Sequence, residues 1–271
     1  QHCYITGGST GLGLELAKQL AREGAHVTIV ARNQEALQKA AQEIEAERKS
    51  ADQRVQWISA DISVAEQAVA AIRRAKADFD GMTPELIFTC AGISYPRYFV
   101  TQELAEFDAG MQVNYMGTLY TAHVAARLMV HDNVKGKLVF ISSTMGFVGF
   151  AGYSQYAPTK QALRALAETL RHELLFYGID VHCFFPGNID TPGYANENAM
   201  KPDFTRELDG EGAKSPAKVA DSLVQGLRKG YVYITNDFNT DLLRNLASGC
   251  APSNNVLLDA IIGFIAWVGC P

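Results

Sequence analysis

The chain has 271 residues, a formal net charge of −5, 48% hydrophobic residues and 20% charged residues. That length is enough for one sizeable α/β core. The acidic balance excludes the basic surface that nucleic-acid binding requires.

Short apolar runs alternate with helical patterns along most of the chain. The strand candidates are His2–Thr6, His26–Val30, Arg54–Ser59, Leu86–Cys90, Lys137–Ser142, Asp180–Phe185 and Tyr231–Thr235. Between them Leu37, Ala40, Ala41 and Ile44 repeat at helical spacing, as do Leu163, Leu166, Ala167 and Leu170, and Ala220, Leu223, Val224 and Leu227. Each set marks the buried face of a helix. The alternation predicts an α/β fold, a doubly wound parallel sheet of about seven strands with helices on both faces. One domain over residues 1–250 is the simplest division.

The first strand runs into Thr6-Gly7-Gly8-Ser9-Thr10-Gly11-Leu12-Gly13. Glycines there permit a tight turn and close approach of a pyrophosphate, and the following helix offers free N–H groups and its positive dipole end. The second strand ends at Arg32, where an acidic residue would hold a ribose hydroxyl and repel a 2′-phosphate. Arg32 favours that phosphate, and Ser9 and Thr10 add hydroxyl donors, so NADPH is expected over NADH. The alternative reading of Arg32 is a solvated loop residue.

Tyr156 and Lys160 are spaced to share one helix face. Ser143 closes the fifth strand, thirteen residues earlier, and Asn114 lies in a helical stretch. Ketone reduction needs a hydride and a proton. Tyrosine, with an ordinary pKa of about 10, serves as general acid if Lys160 and an oxidised nicotinamide lower that value. Ser143 would donate to the carbonyl oxygen.

These residues resemble the short-chain dehydrogenase/reductase family, in the Gly-xxx-Gly-x-Gly spacing and in the set Asn114, Ser143, Tyr156 and Lys160. The resemblance covers residues 2 to about 235. It implies a nicotinamide site that includes Gly7, Gly11, Leu12, Gly13, Asp61 at the adenine, Ile62, Ala91, Gly92, Pro186, Gly187, Ile189 and Thr191. Tyr156 and Lys160 would also contact the cofactor, Lys160 at the ribose, and Asn114 would hold a relay water. Two departures stand out. Cys90 occupies a position that is often Asn, and Pro158-Thr159 replaces the more frequent Ala-Ser. Pro158 is tolerable if the helix begins near Ser154.

Residues 192–215 are polar and rich in Pro and Gly, and are expected to be a mobile substrate loop. The stretch from Asp190 to Pro202 is similar to a sphingolipid-forming branch of that family. This similarity implies a long-chain 3-keto amino alcohol as substrate and a place at the cytosolic face of the endoplasmic reticulum membrane. Met145, Phe147, Val148, Phe150 and Tyr153 would wall an apolar entrance, or pack as ordinary core. The tail, residues 251–271, holds VLLDAIIGFIAWVG, fourteen residues with one charge. A spanning helix needs about 20 apolar residues, so the tail is expected to touch a membrane, to join a homo-oligomer or to cap the core. Reduction of another lipophilic ketone, a steroid or an acyl derivative, is the rival activity, and a non-catalytic NADPH-binding scaffold the rival of another class.

Cys3, Cys90, Cys183, Cys250 and Cys270 form no CxxC pair, and the histidines (His2, His26, His123, His131, His172 and His182) show no ligand spacing. The expectation is reduced thiols, structural histidines and no metal site. The sequence opens on an apolar run without Met, so residues are expected to precede it.

Overall fold

The computed structural model describes residues 1–209, 212–247, 249 and 252–269, the last four of these by backbone only. The elements run β1 (His2–Thr6), α1 (Gly11–Arg22), β2 (His26–Ala31), α2 (Gln34–Ala46), β3 (Val55–Ser59), α3 (Ala65–Asp78) and β4 (Leu86–Thr89). After these come α4 (Leu104–Gly110), α5 (Gly117–His131), β5 (Lys137–Ile141), α6 (Ala157–Leu174) and β6 (Asp180–Phe185). The chain then continues through α7 (Pro192–Met200), α8 (Asp203–Asp209), α9 (Pro216–Arg228), β7 (Tyr233–Thr235), α10 (Phe238–Leu246) and α11 (Val256–Gly269).

All seven strands pair in parallel in the order β3-β2-β1-β4-β5-β6-β7. Alternate side chains on each strand feed opposite cores, as the pleat requires. Cys3, Ile5, Val27, Ile29, Phe88, Val139 and Phe184 pack under α1, α2 and α9. Tyr4, Val30, Ile87, Leu138, Phe140, Cys183 and Phe185 pack under α3, α5 and α6. The three apolar stripes read from the sequence are those faces of α2, α6 and α9.

Strand order reverses direction between β1 and β4, so the loops leaving their carboxyl ends diverge and open a crevice. Between the two strand exits, Ala91 N–H points to Thr6 Oγ1 at 3.3 Å and Cys90 N–H to Thr6 O at 3.2 Å. Thr6 thus makes the strand-to-strand contact that Cys90 leaves open.

Residues 192–209 differ from the loop expected. Thr191 caps α7 by accepting from Tyr194 N–H, and Pro192 starts the helix. Lys201, 4% exposed, then bonds Asn198 Oδ1 at 2.6 Å and Asp209 Oδ2 at 2.5 Å, gathering α7 and α8 around one ammonium. Thr205 Oγ1 donates to Ala151 O, fastening α8 to the body. The ends of the insertion are joined by a bridge between Ile189 and Lys214. Its polar composition reads as loop because the residues that order it bond only once folded.

Cys3, Cys90 and Cys183 are free. Cys250 and Cys270 lie outside the described residues. Burial pushes the Cys3 and Cys90 thiols up to about 12. His2 bonds Thr28 and stacks on Phe79, and burial pushes it down to about 4. Among the described residues no group of three His, Cys, Asp or Glu side chains is placed to hold a metal ion.

Candidate active site

A cleft of about 520 Å³ lies along the carboxyl ends of β1, β2, β4, β5 and β6. It collects residues that the sequence scatters over nearly two hundred positions. Gly7, Ser9, Thr10, Gly11, Leu12 and Gly13 form one stretch of its wall, Arg32, Asp61 and Ile62 another, and Ala91 and Gly92 a third. Ser143, Tyr156 and Lys160 line it further along, with Pro186, Gly187, Ile189 and Thr191 opposite. Asn114 stands behind the wall, fully buried.

The glycine turn fits a dinucleotide pyrophosphate. Gly7 and Gly11 hold φ of +66° and +57°, and a Cβ on Gly13 would sit 2.4 Å from Gly7 O. No side chain caps α1, and the residue before it, Thr10, is extended. The first N–H groups of α1 are therefore left for an anion. Thr191 closes over this turn, since a Cβ on Gly11 would meet its Cγ2 at 2.8 Å.

Arg32 is exposed at the far end. Asp61 accepts from Ser63 N–H at 3.0 Å and from Ser63 Oγ at 2.6 Å through one oxygen, which leaves its second oxygen free of these bonds. Burial raises this carboxyl, but the two Ser63 bonds and the Arg32 charge outweigh it and hold the group below its usual range.

Ser143, extended at the end of β5, starts a 3₁₀ turn and accepts from Met145 N–H. Its hydroxyl is also near enough to the Tyr156 phenol to oppose the rise of that group's pKa. Tyr156 is the residue just before α6, which begins at Ala157 rather than near Ser154, so Pro158 falls in the first turn. Lys160 still lies one turn away, its Nζ 5.3 Å from the Tyr156 ring centre and 2.8 Å from Ile141 O.

The electrostatics differ from expectation. Burial raises the Tyr156 phenol above its usual value, the Glu197 carboxylate raises it further, and the Ser143 hydroxyl opposes them. Burial also pushes Lys160 down to about 8, so the cation meant to lower the tyrosine is itself weakened by the same dry wall.

Asn114 lies in a π-helical turn, Met111–Met116, of the kind that often marks functional sites. Its amide is well used: Oδ1 accepts from Ile93 N–H at 2.8 Å, and Nδ2 donates to Ile93 O at 2.9 Å and Thr159 Oγ1 at 3.0 Å. Thr159 in turn donates to Tyr156 O at 2.7 Å. The Pro158-Thr159 departure therefore keeps a hydroxyl that ties Asn114 to the tyrosine, a role that sequence reading missed. Replacing Thr159 with Val would leave that buried amide donor unpaired. The expected loss is about 1–3 kcal/mol in urea unfolding; a loss near zero would mean the bond is not structural.

The apolar wall is only partly the one expected. Met145 lines the cleft, whereas Phe147 stacks on Phe185 in the core and Tyr153 is buried with its hydroxyl on Glu197. Ile93, Tyr95, Val113, Tyr194 and Met200 supply the remaining apolar surface near the catalytic end. The carboxylate of Glu197 is a second site feature that sequence reading did not single out.

Comparison with known proteins follows the same lines. The short chain dehydrogenase family model matches residues 1–202. The chain is 39% identical to the 3-ketodihydrosphingosine reductase of Cryptococcus neoformans var. neoformans, over 100% of this chain and 81% of that one. It is 35% identical to the 3-ketodihydrosphingosine reductase of Dictyostelium discoideum, covering 93% and 79%, and 33% identical to that of Bos taurus, covering 94% and 77%. Two solved structures share the fold. Levodione reductase has a TM-score of 0.78 at 24% identity, with 88% of this chain and 96% of that one covered. A short-chain dehydrogenase from Sphingobium yanoikuyae in complex with NADPH has a TM-score of 0.75 at 23% identity, covering 86% and 87%.

Proposed function

Because this chain belongs to the short chain dehydrogenase family, we propose that it reduces 3-ketodihydrosphingosine to dihydrosphingosine with NADPH, in sphingolipid synthesis. It is an oxidoreductase with a nicotinamide cofactor. The observation that carries the reading is the convergence of Ser143, Tyr156 and Lys160 at one end of a cleft whose other end is the glycine turn and Arg32.

When bound, the nicotinamide supplies the hydride. The residues of the chain do the rest. Ser143 and Tyr156 both bond the ketone oxygen and orient it. Tyr156 gives its proton to the oxygen as negative charge develops there. A phenol held above its usual pKa keeps that proton at neutral pH, which suits reduction better than the reverse reaction. Lys160, one helical turn away, stabilises the phenolate left behind. Asn114 positions Ile93 and, through Thr159, the start of α6. Arg32 recognises the 2′-phosphate.

A pH dependence follows. Lys160 carries its charge below about 8 and loses it above. The tyrosine stays protonated through that range, so the limb belongs to the lysine. The expected profile of kcat/KM for reduction is flat at lower pH and falls about tenfold per unit above pH 8. A profile still flat at pH 10 would remove Lys160 from this role.

We place the enzyme at the cytosolic face of the endoplasmic reticulum membrane, where its lipid substrate partitions. In support, α11 leaves Val256, Leu257 and Ile261 exposed while Asp259 pins it to Arg244, which is 3% exposed. Fourteen residues span about 21 Å, less than the hydrocarbon core, and no helix among the described residues is long and apolar enough to cross a membrane. Replacing Leu257 and Ile261 together with Asn is expected to abolish flotation with liposomes; unchanged flotation would assign the contact elsewhere. A homo-oligomer, expected from the family resemblance, is read out by sedimentation velocity.

The test of the reaction is NADPH oxidation with 3-ketodihydrosphingosine in detergent micelles, beside a steroid ketone. Turnover of the amino ketone alone supports the reading. Turnover of the steroid alone moves the substrate to the rival class.

A further inference from the structure

The charged side chains that line the cleft are Arg32 and Asp61 at one end, and Lys160 and Glu197 at the other. Glu197 thus places a carboxylate in the same cleft as the proton donor, bonded to Tyr153, whose ring centre lies 6.1 Å from that of Tyr156. It sits on α7, with its side chain 17% exposed. Its Oε1 accepts from Tyr153 Oη at 2.6 Å and lies 3.4 Å from Lys201 Nζ.

Lys201 does not balance it. That ammonium lies closer to Asp209, at 2.5 Å, and to Asn198, at 2.6 Å. One ammonium therefore serves two carboxylates, and the node keeps one net negative charge beside the cleft. A partly buried, unbalanced carboxylate is costly unless a cation meets it. A second polar group points the same way. Ser94 Oγ, in the same cleft, is buried and has no hydrogen-bond partner among the described residues.

The substrate proposed above is a ketone with an ammonium on the adjacent carbon and a hydroxyl on the next. Once Ser143 and Tyr156 fix the ketone oxygen, the ammonium lies two bonds from the reacting carbon and must find a partner beside Tyr156. We infer that Glu197 is that partner, a specificity-determining residue whose carboxylate receives the substrate ammonium, with Ser94 available to the hydroxyl. This rests on the substrate reading given under the proposed function. It explains why a site for a lipid carries a charge at its catalytic end. It also gives α7 a task beyond covering the cleft: it carries the residue that reads the head group.

The test compares kcat/KM for 3-ketodihydrosphingosine with that for 1-hydroxyoctadecan-3-one, the same ketone without the amine, using NADPH in micelles. The wild-type protein is expected to favour the amine by about tenfold or more, the worth of one charge-assisted hydrogen bond. Glu197→Gln is expected to bring the ratio close to one. Tyr153→Phe, which keeps the carboxylate and removes only its phenol partner, is expected to retain the preference and guards against a general folding effect. A wild-type ratio near one overturns the inference. So does a Glu197→Gln variant in which both rates fall alike, because a purely structural role in the Lys201 node would give that result. If the wild-type protein turns over neither ketone but reduces another lipophilic one, the substrate reading itself has failed and the inference falls with it.

Discussion

Replacing Tyr156 with Phe is expected to lower kcat for ketone reduction by about 10²–10⁴-fold, the usual worth of a positioned general acid. The ring stays, so its contacts with Tyr153, 6.1 Å away between ring centres, and with the Lys160 ammonium persist. What leaves is one hydroxyl, the group proposed to hold the transferable proton. Cofactor affinity should change far less, because the glycine turn and Arg32, which would hold the pyrophosphate and the 2′-phosphate, keep their side chains and backbone. Steady-state kinetics with fluorescence titration of NADPH separates the two effects. A variant that keeps its kcat would require another proton source.

Replacing Arg32 with Asp is the second large effect. The arginine is exposed and lines the cleft, with its charge felt by Asp61. Removing one charge-assisted contact to a 2′-phosphate costs about 10- to 150-fold in affinity. An introduced carboxylate adds repulsion of the phosphate and can accept from a ribose hydroxyl instead. The expected result is a reversed ratio of kcat/KM for NADPH and NADH. If NADPH preference survives intact, Arg32 is a solvated loop residue and the phosphate is held elsewhere.

Much of the molecule is legible in its sequence, for identifiable reasons. Short apolar runs gave strands whose ends match to within two residues, as at Val55 against Arg54 and Tyr233 against Tyr231. Both faces of a parallel sheet are covered, so those runs are apolar throughout and hard to misread. The candidate site is legible because turns at strand ends carry its glycines, and because Tyr156 and Lys160 lie one helical turn apart.

What was not legible depends on contacts between distant segments. The order of residues 192–209 rests on Lys201 burying its ammonium among polar groups and on Thr205 reaching Ala151. In sequence those residues look like solvated loop. The raised phenol of Tyr156 and the lowered ammonium of Lys160 follow from burial, which a spacing rule does not supply. Thr159 reads as a conservative exchange until its hydroxyl is seen between Asn114 and Tyr156. Phe147 belongs to the core rather than the entrance because it stacks on Phe185, a partner 38 residues away in the sequence.

The most direct test is to incubate the protein with NADPH deuterated at the transferable C4 position and 3-ketodihydrosphingosine in micelles, and to weigh the product by mass spectrometry. One deuterium on the new carbinol carbon of dihydrosphingosine, absent with Tyr156→Phe, is the expected result. Dihydrosphingosine that carries no deuterium, or no product from a protein that still binds NADPH, would contradict it.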